Sequence, residues 1–266
     1  MSTYVKDFMK LVESHAPVSY KEEYDNVGLM VGDDKAVVKG ILFSMDTTLD
    51  VIQEAKEKGA NLIVSHHPIL FMKPSSITNK TLQGRKIIEL IKNDISVYAA
   101  HTNLDSVKDG MNDTIVRMFD YIDFDIIEQC PFDFDSGIGR IVYLRRPVKL
   151  IDIIEKTKKV LDVQNLRYVG NLGQTIRRVA IINGSGQSYI RQALREGADC
   201  ILTGDTTYHY VQELEEQGVA VVDPGHFFSE QKVFYGIMER MMKEFTQTHD
   251  IPYYFSERED DPYKFI

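Results

Sequence analysis

Cysteine is nearly absent. The 266-residue chain holds two, Cys130 and Cys200, which excludes a disulfide-stapled scaffold and any thiolate-rich zinc site. Positive charge is also in deficit: Lys and Arg number 31 against 40 Asp and Glu, a net charge of −9. That balance argues against non-specific nucleic-acid binding, which needs a basic face to displace counterions. No apolar run reaches the ~18 residues of a membrane-spanning helix. The opening stretch MSTYVKDFMKLVESH alternates apolar and charged residues at helical spacing and lacks the apolar core of a signal peptide. The expected address is therefore the cytoplasm, with no membrane partner, and a nucleic-acid partner is disfavoured unless a surface is locally basic. Apolar residues at 43% and charged residues at 27% are ordinary globular values, and a chain of this length can bury a sizeable core.

Short β-branched apolar runs alternate with amphipathic stretches. VVKGILFSM (37–45), NLIV (61–64) and ISVYAA (95–100) read as strands, separated by helices over 49–59 and 82–94. The β-α-β-α-β pattern returns as strands at 177–183, 198–204 and 219–223, separated by helices over 188–197 and 208–218. The halves match in detail. EAKEKGANLIVSHH (54–67) lies over QALREGADCILTGD (192–205), pairing Ala55 with Ala193, Gly59 with Gly197 and Ala60 with Ala198 at constant spacing. Duplication is the better reading of this order. The expected class is α/β: two tandem related α/β repeats, 1–125 and 126–266, closely packed, with mixed, largely parallel sheets covered by helices and a metal site between them. Between the halves, 120–176 reads as less regular, opening on the acidic, aromatic stretch 121–137 with Pro131 and Gly137 as breakers. Beyond that stretch come a strand over 139–146, a helix over 150–161, a strand over 165–170, a long helix over 226–249 and a strand at IPYYF.

Residues able to hold metal stand directly after three of these strands: His66-His67-Pro68, His101 to Asp105, and Gly225-His226 to Glu230. Neighbouring side chains on a regular strand point to opposite sides. Two adjacent histidines at a strand end can nevertheless serve two ions a few ångströms apart. His226 and Glu230, four apart at a helix start, project from one face. Each of these residues alone has a plainer reading, Asp105 as a cap or turn residue and Glu230 as a solvated helix residue. Jointly they sit where α/β sheets gather ligands, at the carboxyl ends of strands. His101 is open to three roles, a further ligand, a hydrogen-bonding group behind the ligands or a general acid/base, of which the latter two are favoured. Gly184-Ser185-Gly186 reads as a weak anion cradle, and Asp25-Asn26 before Gly28 reads first as a turn. His209 is as readily a surface residue as a pocket one.

YDNVGLMVGD (24–33), SHHPILF (65–71), AHTNLD (100–105) and GHFFSE (225–230) together resemble the Ngg-interacting-factor-three-like family of dinuclear metal proteins, whose bacterial members are named GTP cyclohydrolase I type 2 homologues. Tyr24 departs from the tryptophan frequent at that position, and the resemblance points to the Asp25-Asn26 segment as lining the pocket. The resemblance implies two divalent ions per chain, with His66 and Asp105 on one, His67 and His226 on the other, and Glu230 bridging both. Imidazole and carboxylate donors suit Zn, Mn, Fe, Co or Ni without choosing among them. It also implies a toroidal homohexamer and a metal-dependent hydrolase acting on a purine nucleotide or another small anionic substrate, with His101 as the catalytic proton carrier. The alternatives are a phosphoesterase and a non-catalytic metal-binding regulatory or interaction protein. Arg140, Arg145, Arg146, Arg167, Arg177 and Arg178 could meet a triphosphate, although solvated strand-edge positions are the plainer reading for most of them.

Overall fold

A computed structural model describes residues 2–266. It divides into two compact units, 1–104 with 234–260, and 105–233 with 261–266. The division differs from the contiguous halves expected from the sequence. The C-terminal segment returns to the first unit, because its strand pairs there.

In the first unit the order is α1 (Val5–His15), β1 (Gly28–Val31), β2 (Ile41–Ser44), α2 (Leu49–Lys58), β3 (Leu62–Ser65), α3 (Leu82–Lys92) and β4 (Ser96–Ala99). Thr48 and Thr81 start α2 and α3 by accepting the backbone N–H three residues on. In the second unit follow α4 (Thr102–Ser106), which begins at the end of the first, α5 (Met111–Met118), β5 (Phe124–Cys130), β6 (Asp133–Lys149), α6 (Leu150–Leu161), β7 (Arg167–Val169), β8 (Thr175–Ile181), α7 (Ile190–Arg195), β9 (Cys200–Leu202), α8 (Tyr208–Glu216) and β10 (Ala220–Asp223). Helix α9 (His226–Phe245) starts among second-unit residues and ends among first-unit ones, and β11 (Tyr253–Phe255) completes the chain's strands. Among the described residues no helix is long and apolar enough to cross a membrane.

The sheets run β1-β4-β3-β2-β11 and β5-β6-β8-β9-β10-β7. Within them, β1-β4-β3-β2 and β7-β10-β9-β8 have the same design: three adjacent parallel strands, with an antiparallel strand beside the last of them. Even the register agrees, since Ile41 faces Leu62 as Val179 faces Cys200, the spacing found between the repeats in sequence. Gly59 and Gly197 close the equivalent helices with φ of 69° and 80°, a backbone state open to glycine at little strain. Strands β2, β3, β4, β9 and β10 are buried along their whole length and β8 over its last three residues, as sheets covered by helices require. Leu42, Ile63 and Val97 pack under Val51, Ile52 and Ala55 in the first unit, and Ala180, Ile201 and Val221 under Ile190, Ala193 and Leu214 in the second. Each large apolar side chain buried this way contributes roughly 1.5–3 kcal/mol.

Two expectations need correction. Residues 124–137 are not irregular but form β5 and the start of β6, a hairpin paired from Phe124↔Val142 to Cys130↔Asp133, while the strand expected over 139–146 is part of β6. Arg140 is neither a solvated strand-edge charge nor a phosphate contact. It is fully buried, with Nε on Asp113 at 2.6 Å and Nη1 donating to the carbonyls of Gly137 and Gly139.

Candidate metal centre

In the first unit, β3 ends at Ser65 and β4 at Ala99, neighbours in the sheet with Ser65 beside Ala99. The residues that follow are therefore brought side by side. His66, His67 and His101 each offer one ring nitrogen, and these atoms lie within 4.8 Å of one another. The rings pack in a tilted cluster, with centroids 5.1 to 5.5 Å apart. Metal–nitrogen bonds of about 2.1 Å put two ligands of one ion at most ~4.2 Å apart, so a small side-chain adjustment suffices for convergence.

Hydrogen bonds determine which nitrogen each ring presents. His66 is fully buried, and its Nδ1 lies 2.8 Å from the carbonyl of Ala100. A carbonyl only accepts, so the proton is on Nδ1 and Nε2 is the ligating atom. His67 places Nδ1 3.2 Å from Asp46. His101 places Nδ1 2.9 Å from Oδ1 of Asp25. Asp25 is itself buried, and its other oxygen accepts from the backbone N–H and the hydroxyl of Thr102. Burial pushes the Asp25 carboxyl up, but the bonds from His101 and Thr102 outweigh it and hold it well below the ordinary carboxylate range. It is thus an ionised anchor for His101. Carboxylate and carbonyl partners behind imidazoles are the usual support of metal-ligating histidines.

In the second unit, β10 ends at Asp223 and α9 begins at His226. His226 and Glu230 meet one helical turn apart, Nε2 to Oε2 at 2.9 Å, with Glu230 buried. Asp205, after β9, takes the other side of the ring, 2.6 Å from Nδ1. Burial opposes charge on His226, but the bonds to Asp205 and Glu230 outweigh it and raise its pKa to about 11. The His226 bond in turn holds the Asp205 carboxyl down, against its partial burial. Two carboxylates around one imidazole make a place that favours a cation. Asp105 stands on α4, four residues after His101, and its own carbonyl accepts from Asn112.

The Gly184-Ser185-Gly186 loop is not an anion cradle. The amide of Gly184 donates to Ser229 Oγ and that of Gly186 to Thr203 Oγ1. The loop instead packs on the His226–Glu230 pair: a Cβ at Gly184 would stand 2.1 Å from Glu230 Oε1, at a φ of 55°. Gly184→Ala should therefore displace Glu230 or the loop, lowering stability by roughly 1–3 kcal/mol and weakening metal retention. Urea unfolding and metal analysis would check this, and an unchanged midpoint with unchanged metal content would count against it. His209 is an exposed residue of the first turn of α8, edge-on to Tyr208.

The donor set fits divalent transition ions: histidines whose Nδ1 faces a carbonyl or a carboxylate in one unit, and a His–Glu pair backed by an aspartate in the other. Sequence reasoning did not single out Asp205, and it read Asp25 first as a turn residue, with only the family resemblance placing it near the pocket. Asp205 lies under His67 when the two repeats are superposed in sequence, a signal that was available. Asp25 carried no spacing signal, because its partner His101 is distant along the chain.

The sequence pattern of the Duf34/NIF3 (NGG1p interacting factor 3) family matches residues 3–262. A curated relative from Clostridium perfringens, named GTP cyclohydrolase 1 type 2 homolog, is 47% identical over 262 residues, covering 98% of this chain and 99% of its own. The crystal structure of Staphylococcus aureus hypothetical protein SA1388 is 31% identical and superposes with a TM-score of 0.90 over 100% of both chains. A Bacillus cereus protein related to NIF3 reaches a TM-score of 0.92 over 100% of both chains at 24% identity, which bears on the fold alone. The chain belongs to the Duf34/NIF3 family.

Proposed function

We propose that His66, His67, Asp105, His226 and Glu230 hold two divalent ions and that the protein is a metal-dependent hydrolase of a small anionic substrate, a purine nucleotide being the substrate class that the relatives' name suggests. The observation that carries the reading is the cluster of His66, His67 and His101, whose ring nitrogens lie within 4.8 Å of one another, close enough for His66 and His67 to serve adjacent ions with His101 beside them, and with Nδ1 of each ring held by a carbonyl or a carboxylate. Bound divalent ions would supply a hydroxide nucleophile near neutral pH and polarise the substrate. The chain's own contribution is positional. Asp25 keeps the His101 proton on Nδ1, so Nε2 is the atom that takes a proton from, or returns one to, the reacting group. Asp205 orients His226, and the Gly184 loop confines Glu230.

The expected result is about two ions per chain after gentle purification or reloading with Zn, Mn or Fe, together with turnover of GTP or of a member of a phosphoester panel. Well under one ion per chain, with no recovery on reloading, would sink the metal reading. Two ions with no turnover of any substrate would favour the non-catalytic alternative, a metal-binding regulatory or interaction protein. Assembly as a homohexamer belongs to the same reading, and a sedimentation mass near that of one 30.5 kDa chain would refute it.

A further inference from the structure

The Tyr24-Asp25-Asn26 turn does more than reverse the chain. Asp25 anchors His101. The next residue, Asn26, donates from its side-chain amide to the carbonyl of Leu70 at 2.7 Å, fixing the segment that carries Phe71. Gln83 holds the same segment through the carbonyl of Ile69 at 3.0 Å. The preceding residue, Tyr24, places its ring 6.3 Å from that of Phe71, tilted by 59°. Phe71 in turn meets His101 edge-on at 6.5 Å. A continuous row of rings thus runs from Tyr24 through Phe71 and His101 to His66 and His67.

The outer two members of the row are open to solvent, Tyr24 63% exposed and Phe71 49% exposed. Contiguous exposed aromatics that are rigidly held mark a contact surface. Here the fastening is shared with the histidine cluster, because one turn holds both the ring-bearing segment and the aspartate that orients His101. That arrangement suits a ligand which touches the rings and the ions at once.

We infer that Tyr24 and Phe71 form a stacking platform for a planar aromatic or heteroaromatic ring of the substrate, setting that ring beside the bond presented to the metal centre. The rings are tilted rather than parallel, so the occupant stacks on one and meets the edge of the other, both favourable aromatic geometries. The inference rests on the metal-centre reading but on no particular nucleotide.

The test uses two ligands with the same metal-binding head, benzohydroxamate and acetohydroxamate, on zinc-reconstituted protein by titration calorimetry. The parent is expected to hold benzohydroxamate about tenfold more tightly, the scale of one aromatic stacking contact. Tyr24→Ala combined with Phe71→Ala should bring the two affinities to within about twofold, leaving acetohydroxamate unchanged, while Tyr24→Phe keeps the preference. Both positions are exposed, so the variants should fold. Equal affinities in the parent, or a preference that survives the double substitution, would overturn the platform alone. Failure of both hydroxamates to bind the zinc-treated parent would defeat the metal reading and the platform with it. A sedimentation mass altered by the double substitution would assign the rings to contact with a second copy and overturn the inference.

Discussion

Asp113→Ala should lower the unfolding free energy by about 3–5 kcal/mol, because it strands the Arg140 guanidinium in the interior without its counter-charge. Arg140 is fully buried and Asp113 nearly so, with Nε and Oδ1 2.6 Å apart. Burial already pulls the Arg140 pKa down and Asp113 pushes it back up, so removing Asp113 leaves the desolvation unopposed. The melting temperature should fall by on the order of 10 °C. Arg140→Met together with Asp113→Leu should be milder than Asp113→Ala alone, since no buried charge is left. It will not restore the parent, because the Gly137 and Gly139 carbonyls lose their donor. Thermal and urea unfolding of the variants decide it. A loss under about 1 kcal/mol for Asp113→Ala would mean that water reaches the guanidinium and that the pair is not a structural element of the second unit.

The same residue shows where sequence reading stops. An arginine on a strand with apolar neighbours, GRIVYL, gives no sign of its partner, which lies on α5, earlier in the chain. The repeated β-α-β-α-β cores were legible because most of their strands are buried throughout and their helices show one apolar face, so each element carries its own periodic signal. Strand β5 was not. Only Ile127 on it is buried, and an exposed edge strand with acidic residues has no apolar face to read. Strand β11 was expected as a strand, but its place beside β2 is a long-range pairing, so the boundary between the units was not legible.

The candidate ligands were easier than their supports. Histidines and carboxylates directly after apolar strands are visible in one dimension, because strand ends place them at one edge of a sheet. His101 was visible too, yet its share in the three-histidine cluster depends on β3 and β4 lying side by side. Asp25 and Asn26 looked like a turn and are one. Their second task, holding His101 and the Phe71 segment, exists only in the folded chain.

Glu230→Ala should release both ions or leave one weakly held, whereas His226→Ala should mainly remove one and Asp105→Ala should weaken the other. The contrast follows from the proposed bonding. A bridging carboxylate contributes a bond to each ion and a negative charge that screens the two cations from each other, while His226 and Asp105 each touch one. Gentle purification followed by metal analysis at one pH, with the parent alongside, measures it. The fold should survive, because the apolar layers of each unit are complete without metal, unlike those of a small zinc finger, and circular dichroism checks this. Glu230 is buried against His226, so its removal also frees that imidazole to turn. Glu230→Gln controls for this, since it retains the volume and a hydrogen-bonding oxygen but not the charge. It should hold the ions more tightly than Glu230→Ala and more weakly than the parent. If Glu230→Ala keeps two tightly bound ions, the bridge is wrong and Glu230 is a partner of His226 alone.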